Sequence, residues 1–100
     1  MNATAWRSGK NGTYGVRVGT QNRERFFDSR WTEIEVELEG EVRTFHLTRG
    51  FWHKCPEFRD RGSPVLREWL RRHHTIDWPT GKPPRFTLTP LGENRFRLLP

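Results

Sequence analysis

Apolar and charged residues alternate along the chain between residues 31 and 48. Aliphatic side chains at every second position are separated by glutamates, and the same period resumes after a short polar break. An apolar residue at every second position is typical of a strand that buries one face. This stretch therefore predicts a long β-hairpin. Its apolar positions are Ile34, Val36, Leu38, Phe45 and Leu47.

The register of this hairpin depends on the length of its loop. A four-residue loop over residues 39–42 places Val36 opposite Phe45 and brings Glu35 beside His46 on the solvent face. Together with an outward arginine, His46 and Glu35 could supply the base, the acid and the phosphate clamp of a metal-independent ribonuclease. The same pair is also an ordinary contact between two charged side chains on a strand surface.

A second hairpin is predicted near the start of the chain. Asn11-Gly12 suits a type I′ turn, and apolar residues alternate with polar ones over residues 14–18. A two-residue loop places Trp6 opposite Arg17, where the guanidinium could lie on the indole ring. The alternative is a different register in which Trp6 is buried.

A third hairpin is predicted over the last fifteen or so residues, from the same alternation. Two apolar residues on each strand face one another across a loop that contains Gly92 and Asn94, and Arg95 and Arg97 point outward. The four apolar residues are Phe86, Leu88, Phe96 and Leu98.

One main helix is predicted over about residues 64–74. Ser63-Pro64 is a suitable start, because serine caps a helix and proline is tolerated in its first turn. Apolar and aromatic residues then recur at helical spacing, while cations face elsewhere. The residues of the predicted buried face are Leu66, Trp69, Leu70 and His73.

The order of these elements predicts an α+β fold in one compact domain over residues 1–100. We expect a small antiparallel sheet or partly open barrel, built from three hairpins and covered by the one main helix. The chain length suits a single core.

Composition indicates which residues build the core and where in the cell the protein is expected. Only 32% of the 100 residues are apolar, but five Trp, seven Phe and one Tyr make 13% of the chain aromatic. Since disordered chains are poor in aromatic residues, we expect a folded core built largely from rings. The single Cys55 excludes an internal disulfide. No apolar run suits a signal peptide or a membrane span, so a cytoplasmic location is expected.

Charge is distributed unevenly. Five of the 12 acidic residues fall at alternate positions from Glu33 to Glu41, a nine-residue stretch without Lys or Arg. The other 91 residues carry all 18 basic side chains against seven acids, a balance of +11. If the glutamate strand neighbours outward Arg17, Arg95 and Arg97, these charges pair. If it does not, an acidic strip remains that could dock a basic partner. We favour internal pairing.

Internal pairing leaves the predicted helix and its flanks as the basic surface. Cations spread along a surface can neutralise successive phosphates. The alternative is a solvated helix face whose last-turn cations complement the helix dipole. Trp78, in a loop bounded by Asp77 and Pro79, is the aromatic residue best placed to stack on an unpaired base. The predicted nucleic-acid-binding residues are Lys54, Arg59, Arg61, Arg67, Arg71, Arg72, Trp78, Lys82 and Arg85.

The sequence therefore favours a non-enzymatic nucleic-acid-binding domain whose partner is DNA or RNA. The first alternative is a protein-interaction or self-associating module that sets its glutamate strand against a basic patch on a protein partner or on a second copy in a homodimer. The second is the ribonuclease described above. The pairs His53/Cys55 and His73/His74 lack the spacing of zinc ligands, and no cofactor, metal or membrane partner is expected.

Overall fold

The computed structural model describes residues 1–9 and 12–100, in which seven strands and three helices occur. The strands are β1 (Asn2–Arg7), β2 (Tyr14–Arg17), β3 (Glu33–Leu38), β4 (Glu41–His46), β5 (Glu57–Arg59), β6 (Arg85–Gly92) and β7 (Arg95–Leu99). The helices are α1 (Thr20–Phe26), α2 (Arg49–His53) and α3 (Val65–His73).

All seven strands belong to one sheet, in the order β4-β3-β7-β6-β1-β2-β5. The sheet curls into a nearly closed barrel with one seam, between the two edge strands β4 and β5. This confirms the predicted α+β class, the three hairpins and the one main helix. One strand pair differs from an all-antiparallel sheet, because β3 and β7 run parallel. They belong to different hairpins, so no tight turn forces them to be antiparallel.

Alternate residues of the strands fill the barrel, and aromatic rings occupy much of the interior. Phe27, which follows α1, stacks on Phe96 with ring centroids 4.8 Å apart and lies 5.2 Å from the Phe51 ring of α2. These contacts place α1 and α2 together at one end of the barrel. At the other end Trp69 of α3 packs edge-on against Phe86, with centroids 5.1 Å apart. Each end of the core is thus closed by helices.

The β3–β4 hairpin differs from its predicted register by two residues. The strands are joined by a two-residue turn at Glu39 and Gly40, with φ angles of 52° and 79°. Two successive positive φ angles fit the tight turn that matches the twist of paired strands. As a result Val36 faces Arg43 rather than Phe45. The predicted four-residue loop was wrong because Glu39 adopts a backbone conformation that is uncommon for glutamate.

The new register also separates the residues proposed as a ribonuclease pair. Glu35 lies opposite Thr44, and His46 lies opposite Glu33. The predicted contact between Glu35 and His46 therefore does not form.

In the first hairpin, Trp6 lies opposite Gly15 and Arg17 lies opposite Thr4. The predicted pairing of Trp6 with Arg17 is wrong, and the alternative of a different register is the one observed. The Asn11-Gly12 turn includes Asn11, which lies outside the described residues. Trp6 is half-buried rather than part of the core.

Helix α3 has a different cap from the predicted Ser63. The Asp60 carboxylate accepts hydrogen bonds from the backbone N–H groups of Leu66 (2.7 Å) and Arg67 (3.0 Å). Two free N–H groups in the first turn of the helix are thereby satisfied by a residue just after β5. Burial raises the pKa of Asp60, and these two hydrogen bonds partly offset that rise.

The buried face of α3 matches the prediction except at its end. Leu66, Trp69 and Leu70 are buried. His73 is largely exposed and lies 3.2 Å from a Glu39 carboxylate oxygen. The His73 ring still contacts Trp69, with centroids 5.2 Å apart, while the His74 ring lies against both Trp69 and Phe86, where the chain leaves the helix.

No helix among residues 1–9 and 12–100 combines the length and the apolar character that crossing a membrane requires.

Candidate nucleic-acid interface

The outer surface of the barrel divides into two walls with different charge. We call the outer face of β6, β1, β2 and β5 the basic wall, and that of β4, β3 and β7 the balanced wall. On the basic wall the outward charged residues are Arg17, Glu57, Arg59 and Arg85. On the balanced wall they are Glu33, Glu35, Glu37, Arg95 and Arg97, together with His46.

Arginines and glutamates on the balanced wall pair across the parallel β3–β7 junction. Arg95 donates to a Glu35 carboxylate oxygen at 3.3 Å, and Arg97 donates to both oxygens of Glu37 at 3.2 and 3.3 Å. This register places each guanidinium directly beside one carboxylate. The predicted internal pairing is therefore confirmed for Arg95 and Arg97. The glutamate strand is largely neutralised within the barrel.

Arg17 does not take part in that pairing, because it lies on the basic wall. The strand register places Arg85, Thr4, Arg17 and Glu57 in one row across β6, β1, β2 and β5. The prediction that Arg17 pairs with the glutamate strand was wrong. Its acidic neighbour is Glu57, whose nearer oxygen lies 3.9 Å from an Arg17 nitrogen.

Glu57 is the one acidic side chain of the basic wall, and it is almost completely buried, with 1% of the side chain exposed. Arg59 donates to one of its oxygens at 3.4 Å, and the other oxygen accepts no hydrogen bond from residues 1–9 or 12–100. Burial raises the pKa of Glu57, an effect that Arg59 and Arg17 oppose. One recessed carboxylate is thus shared by two guanidiniums that are each about half exposed.

A second row on this wall contains Trp6, Gly15 and Arg59. The Arg59 guanidinium carbon lies over the Trp6 ring, 4.5 Å from its centre. Gly15 stands between them on β2 and has no side chain to separate them. A Cβ at this position would lie 2.5 Å from the Phe58 carbonyl oxygen. The bare backbone at Gly15 therefore permits both the close approach of β5 and the stack above it.

The basic wall continues at its β5 edge into the seam groove, which we define as the opening between β4 and β5. Its volume is about 480 Å³. Arg43, His46, Arg59 and Arg61 line it. Arg43 donates to Glu41 at 2.7 Å, and the carboxylate in the lining, Asp60, is occupied by the cap of α3. The predicted Arg59 and Arg61 are thus brought together here.

Sequence reasoning did not assign Arg43 to the interface, although a signal for it exists. Arg43 faces Val36, so it occupies an inward position of β4. A charged side chain at an inward position is tolerated where a strand forms the edge of a sheet. The alternation of charge in β4 could therefore have indicated an open seam beside it.

The predicted helix cations are largely engaged with acids. Arg67 and Arg71 both lie near Glu68, at 3.7 and 3.6 Å. Arg72 donates to Glu39 at 2.6 Å, and this hydrogen bond lowers the pKa of Glu39. Three guanidiniums thus share two carboxylates. The helix face carries less excess charge than its sequence indicates.

The remaining predicted residues lie in two further places. Trp78 is half-buried, with its ring 6.0 Å from that of Tyr14 and with the Arg7 guanidinium 4.3 Å from its centre. Lys82 is exposed in the connector that leads into β6 and to Arg85. Lys54 is exposed just after α2, at the end of the barrel opposite α3. It does not join the others.

In the part of the chain that the structure describes, no three His, Cys, Asp or Glu side chains are grouped so as to hold a metal ion. No family model, no curated protein and no solved structure matches the chain.

Proposed function

We propose that this protein binds nucleic acid, without catalysing a reaction on it, through the basic wall and the adjoining seam groove. The observation that carries this proposal is the charge of the basic wall. Three exposed guanidiniums, those of Arg17, Arg59 and Arg85, stand on three of the four strands of this wall against one buried carboxylate, Glu57. The phosphate backbone is the abundant extended polyanion to which such a face is complementary.

The spacing of these cations supports an extended ligand rather than a small anion. Arg85 and Arg17 lie in one row two strands apart, which corresponds to about 10 Å. Arg61 extends the cationic surface around the β5 edge into the seam groove. Cations at such separations cannot all contact one phosphate, but they can contact successive phosphates of a chain.

The glutamate strand supports the protein-interaction alternative less well. Glu35 and Glu37 are paired with arginines of the same barrel, so little free acidic surface remains for a partner. The ribonuclease alternative loses its predicted acid–base pair, since Glu35 and His46 lie on different rows of the hairpin.

The proposal is tested by titrating fluorescently labelled oligonucleotides, single-stranded and duplex, at several salt concentrations. We expect affinity at low salt that weakens as salt rises. Three phosphate contacts on a single strand correspond to a slope of about −2 in log K against log salt, because each contributes about −0.7. No binding at low salt, or an affinity independent of salt, would overturn the proposal.

A further inference from the structure

We infer that the stacked pair of Trp6 and Arg59 is a docking platform for an unpaired nucleobase, so that the ligand of the basic wall is a single strand. This inference rests on the proposed function and adds the form of nucleic acid that is bound. It makes two planar side chains, rather than charge alone, responsible for part of the affinity.

Trp6 occupies a different environment from the other four tryptophans. Trp69 is 1% exposed within the core, and Trp31, Trp52 and Trp78 are partly buried against the core. Trp6 is half-buried as well, but it is not packed against the core and lies on the outer face of β1, among the cations of the basic wall. A large ring in this position is not needed to fill the barrel. Many proteins hold unpaired bases with aromatic side chains that lie beside cations on the surface of a sheet.

The neighbouring residues hold the pair in one arrangement. Arg59 is anchored at one end by its hydrogen bond to buried Glu57, while its guanidinium covers the Trp6 ring. Gly15, which lies between them, has no side chain, and a Cβ there would lie 3.1 Å from the Arg59 Cβ. About half of the Arg59 side chain, 47%, remains exposed. A planar group that is already stacked and oriented can therefore receive a base on its outer side, which extends the stack by one layer.

Bases within a duplex cannot use this platform, because they are paired and stacked on one another. Bases of a single strand can turn toward the wall while the phosphates follow Arg17 and Arg85. Guanidinium and indole planes both stack on bases without regard to sequence. We therefore expect a preference for single strands with little sequence specificity.

The test separates bases from phosphates. The wild-type protein is titrated with a single strand of roughly ten nucleotides, a length that one small domain can cover, and with an abasic strand of equal length and charge. We expect about tenfold tighter binding of the strand with bases, from stacking of one base. The salt slopes should be equal, since the phosphates are the same.

Two outcomes overturn different claims. Equal, salt-dependent affinity for the two strands would overturn the stacking inference and leave the proposed function standing. No binding of either strand at low salt would overturn both.

Matched variants assign the effect to the pair. Arg59→Lys keeps the charge but removes the planar group, and Arg17→Lys makes the same change beside the same Glu57, away from the ring. We expect Arg59→Lys and Trp6→Leu to bind both strands equally, and Arg17→Lys and Trp6→Phe to retain the preference for bases. If Arg59→Lys and Trp6→Leu also retain that preference, the pair is not the platform.

Discussion

The two walls of this barrel both carry arginines and glutamates, but these side chains are paired differently on each wall. On the balanced wall, Arg95 and Arg97 each lie directly beside a glutamate of the neighbouring strand. On the basic wall, Arg17 and Arg59 share one buried carboxylate, and Arg85 has no ion-pair partner among the described residues. The walls differ less in outward arginines, three against two, than in outward acids, one against three. Strand order and register produce this difference, because they decide which arginines lie beside the glutamates of β3.

This difference has consequences for both stability and binding. An exposed ion pair contributes only about 0–1 kcal/mol, so the pairs on the balanced wall stabilise the fold modestly while removing charge from its surface. The guanidiniums of the basic wall remain available for contacts with a ligand. The net charge of +6 is therefore distributed unevenly over the surface of the protein.

The largest expected effect comes from disturbing the packing beneath the basic wall. Gly15→Ala places a Cβ against the Phe58 carbonyl oxygen, at 2.5 Å before relaxation. Relieving such overpacking costs about 1–3 kcal/mol. Urea denaturation should show this loss of unfolding free energy. Gly9→Ala is the matched control, since no atom of the part of the chain that the structure describes lies within 4 Å of a Cβ there. An equal stability change in both variants would contradict the close approach of β5.

A smaller loss of stability is expected when the contacts that attach α3 to the barrel are removed, first on the basic-wall side and then on the balanced-wall side. Asp60, which follows β5, caps the helix with two backbone hydrogen bonds, and its replacement by alanine should cost about 1 kcal/mol. Ser63→Ala, which removes the cap that the sequence predicts, should leave stability unchanged. Thermal unfolding of both variants checks this. A greater loss for Ser63→Ala would show that Asp60 is not the cap.

On the balanced-wall side, α3 is attached through the exposed contact of Arg72 with Glu39, so Glu39→Ala should cost less than Asp60→Ala. The hydrogen bond from Arg72 lowers the pKa of Glu39. Its contribution is therefore complete above the ordinary pKa of 4.5 and is lost as the pH falls through the lowered value. The stability difference between wild type and Glu39→Ala should shrink in acid. A difference that grows in acid would contradict this pairing.

The smallest effect concerns the one acid of the basic wall. Glu57→Gln removes a negative charge, and oligonucleotide affinity should rise about twofold, because a unit charge about 10 Å away in water contributes about 0.4 kcal/mol. A fall in affinity would indicate that Glu57 mainly positions Arg59.

The stability difference between wild type and Glu57→Gln should also depend on pH. Burial raises the native pKa of Glu57 above 4.5. Its contribution to stability is then complete below pH 4.5 and is lost as the pH rises through the raised pKa. As the pH rises from 4.5 through the raised pKa, the unfolding free energy of the wild type should fall relative to that of Glu57→Gln. Denaturant unfolding at a series of pH values measures this difference. A difference that does not vary with pH would contradict the burial.

Much of the fold follows from local patterns in the sequence. The alternation around Ile34 and Val36 predicts a hairpin, and Leu66, Trp69 and Leu70 predict the buried face of the helix, because each pattern repeats with the period of its element. Strand β5 escaped prediction, since Glu57, Phe58 and Arg59 are too few to show a period and begin with a buried acid.

The candidate interface was only partly predictable for a related reason. Arg59 and Arg85 could be named as cations, but their common wall depends on β5 and β6 joining the first hairpin, and these pairings link distant parts of the chain. The contact of Arg59 with Trp6 depends on one of these distant pairings, that of β5 with β2, together with the first hairpin. The cations of α3 are close together in the sequence and were therefore the easier ones to predict as a basic surface. Arg72, however, is paired with Glu39, which lies more than thirty residues away in the sequence, so the net positive charge of the helix is lower than predicted.

The most direct test of the account compares Arg17→Ala/Arg85→Ala with Arg95→Ala/Arg97→Ala. Both double variants lose two positive charges, the first from the basic wall and the second from the balanced wall. We predict that the first reduces the slope of log K against log salt for a single-stranded oligonucleotide by about 1.4, because each phosphate contact contributes about 0.7. The second should leave the slope unchanged. Equal reductions in the two variants would show that net charge, and not the basic wall, governs binding.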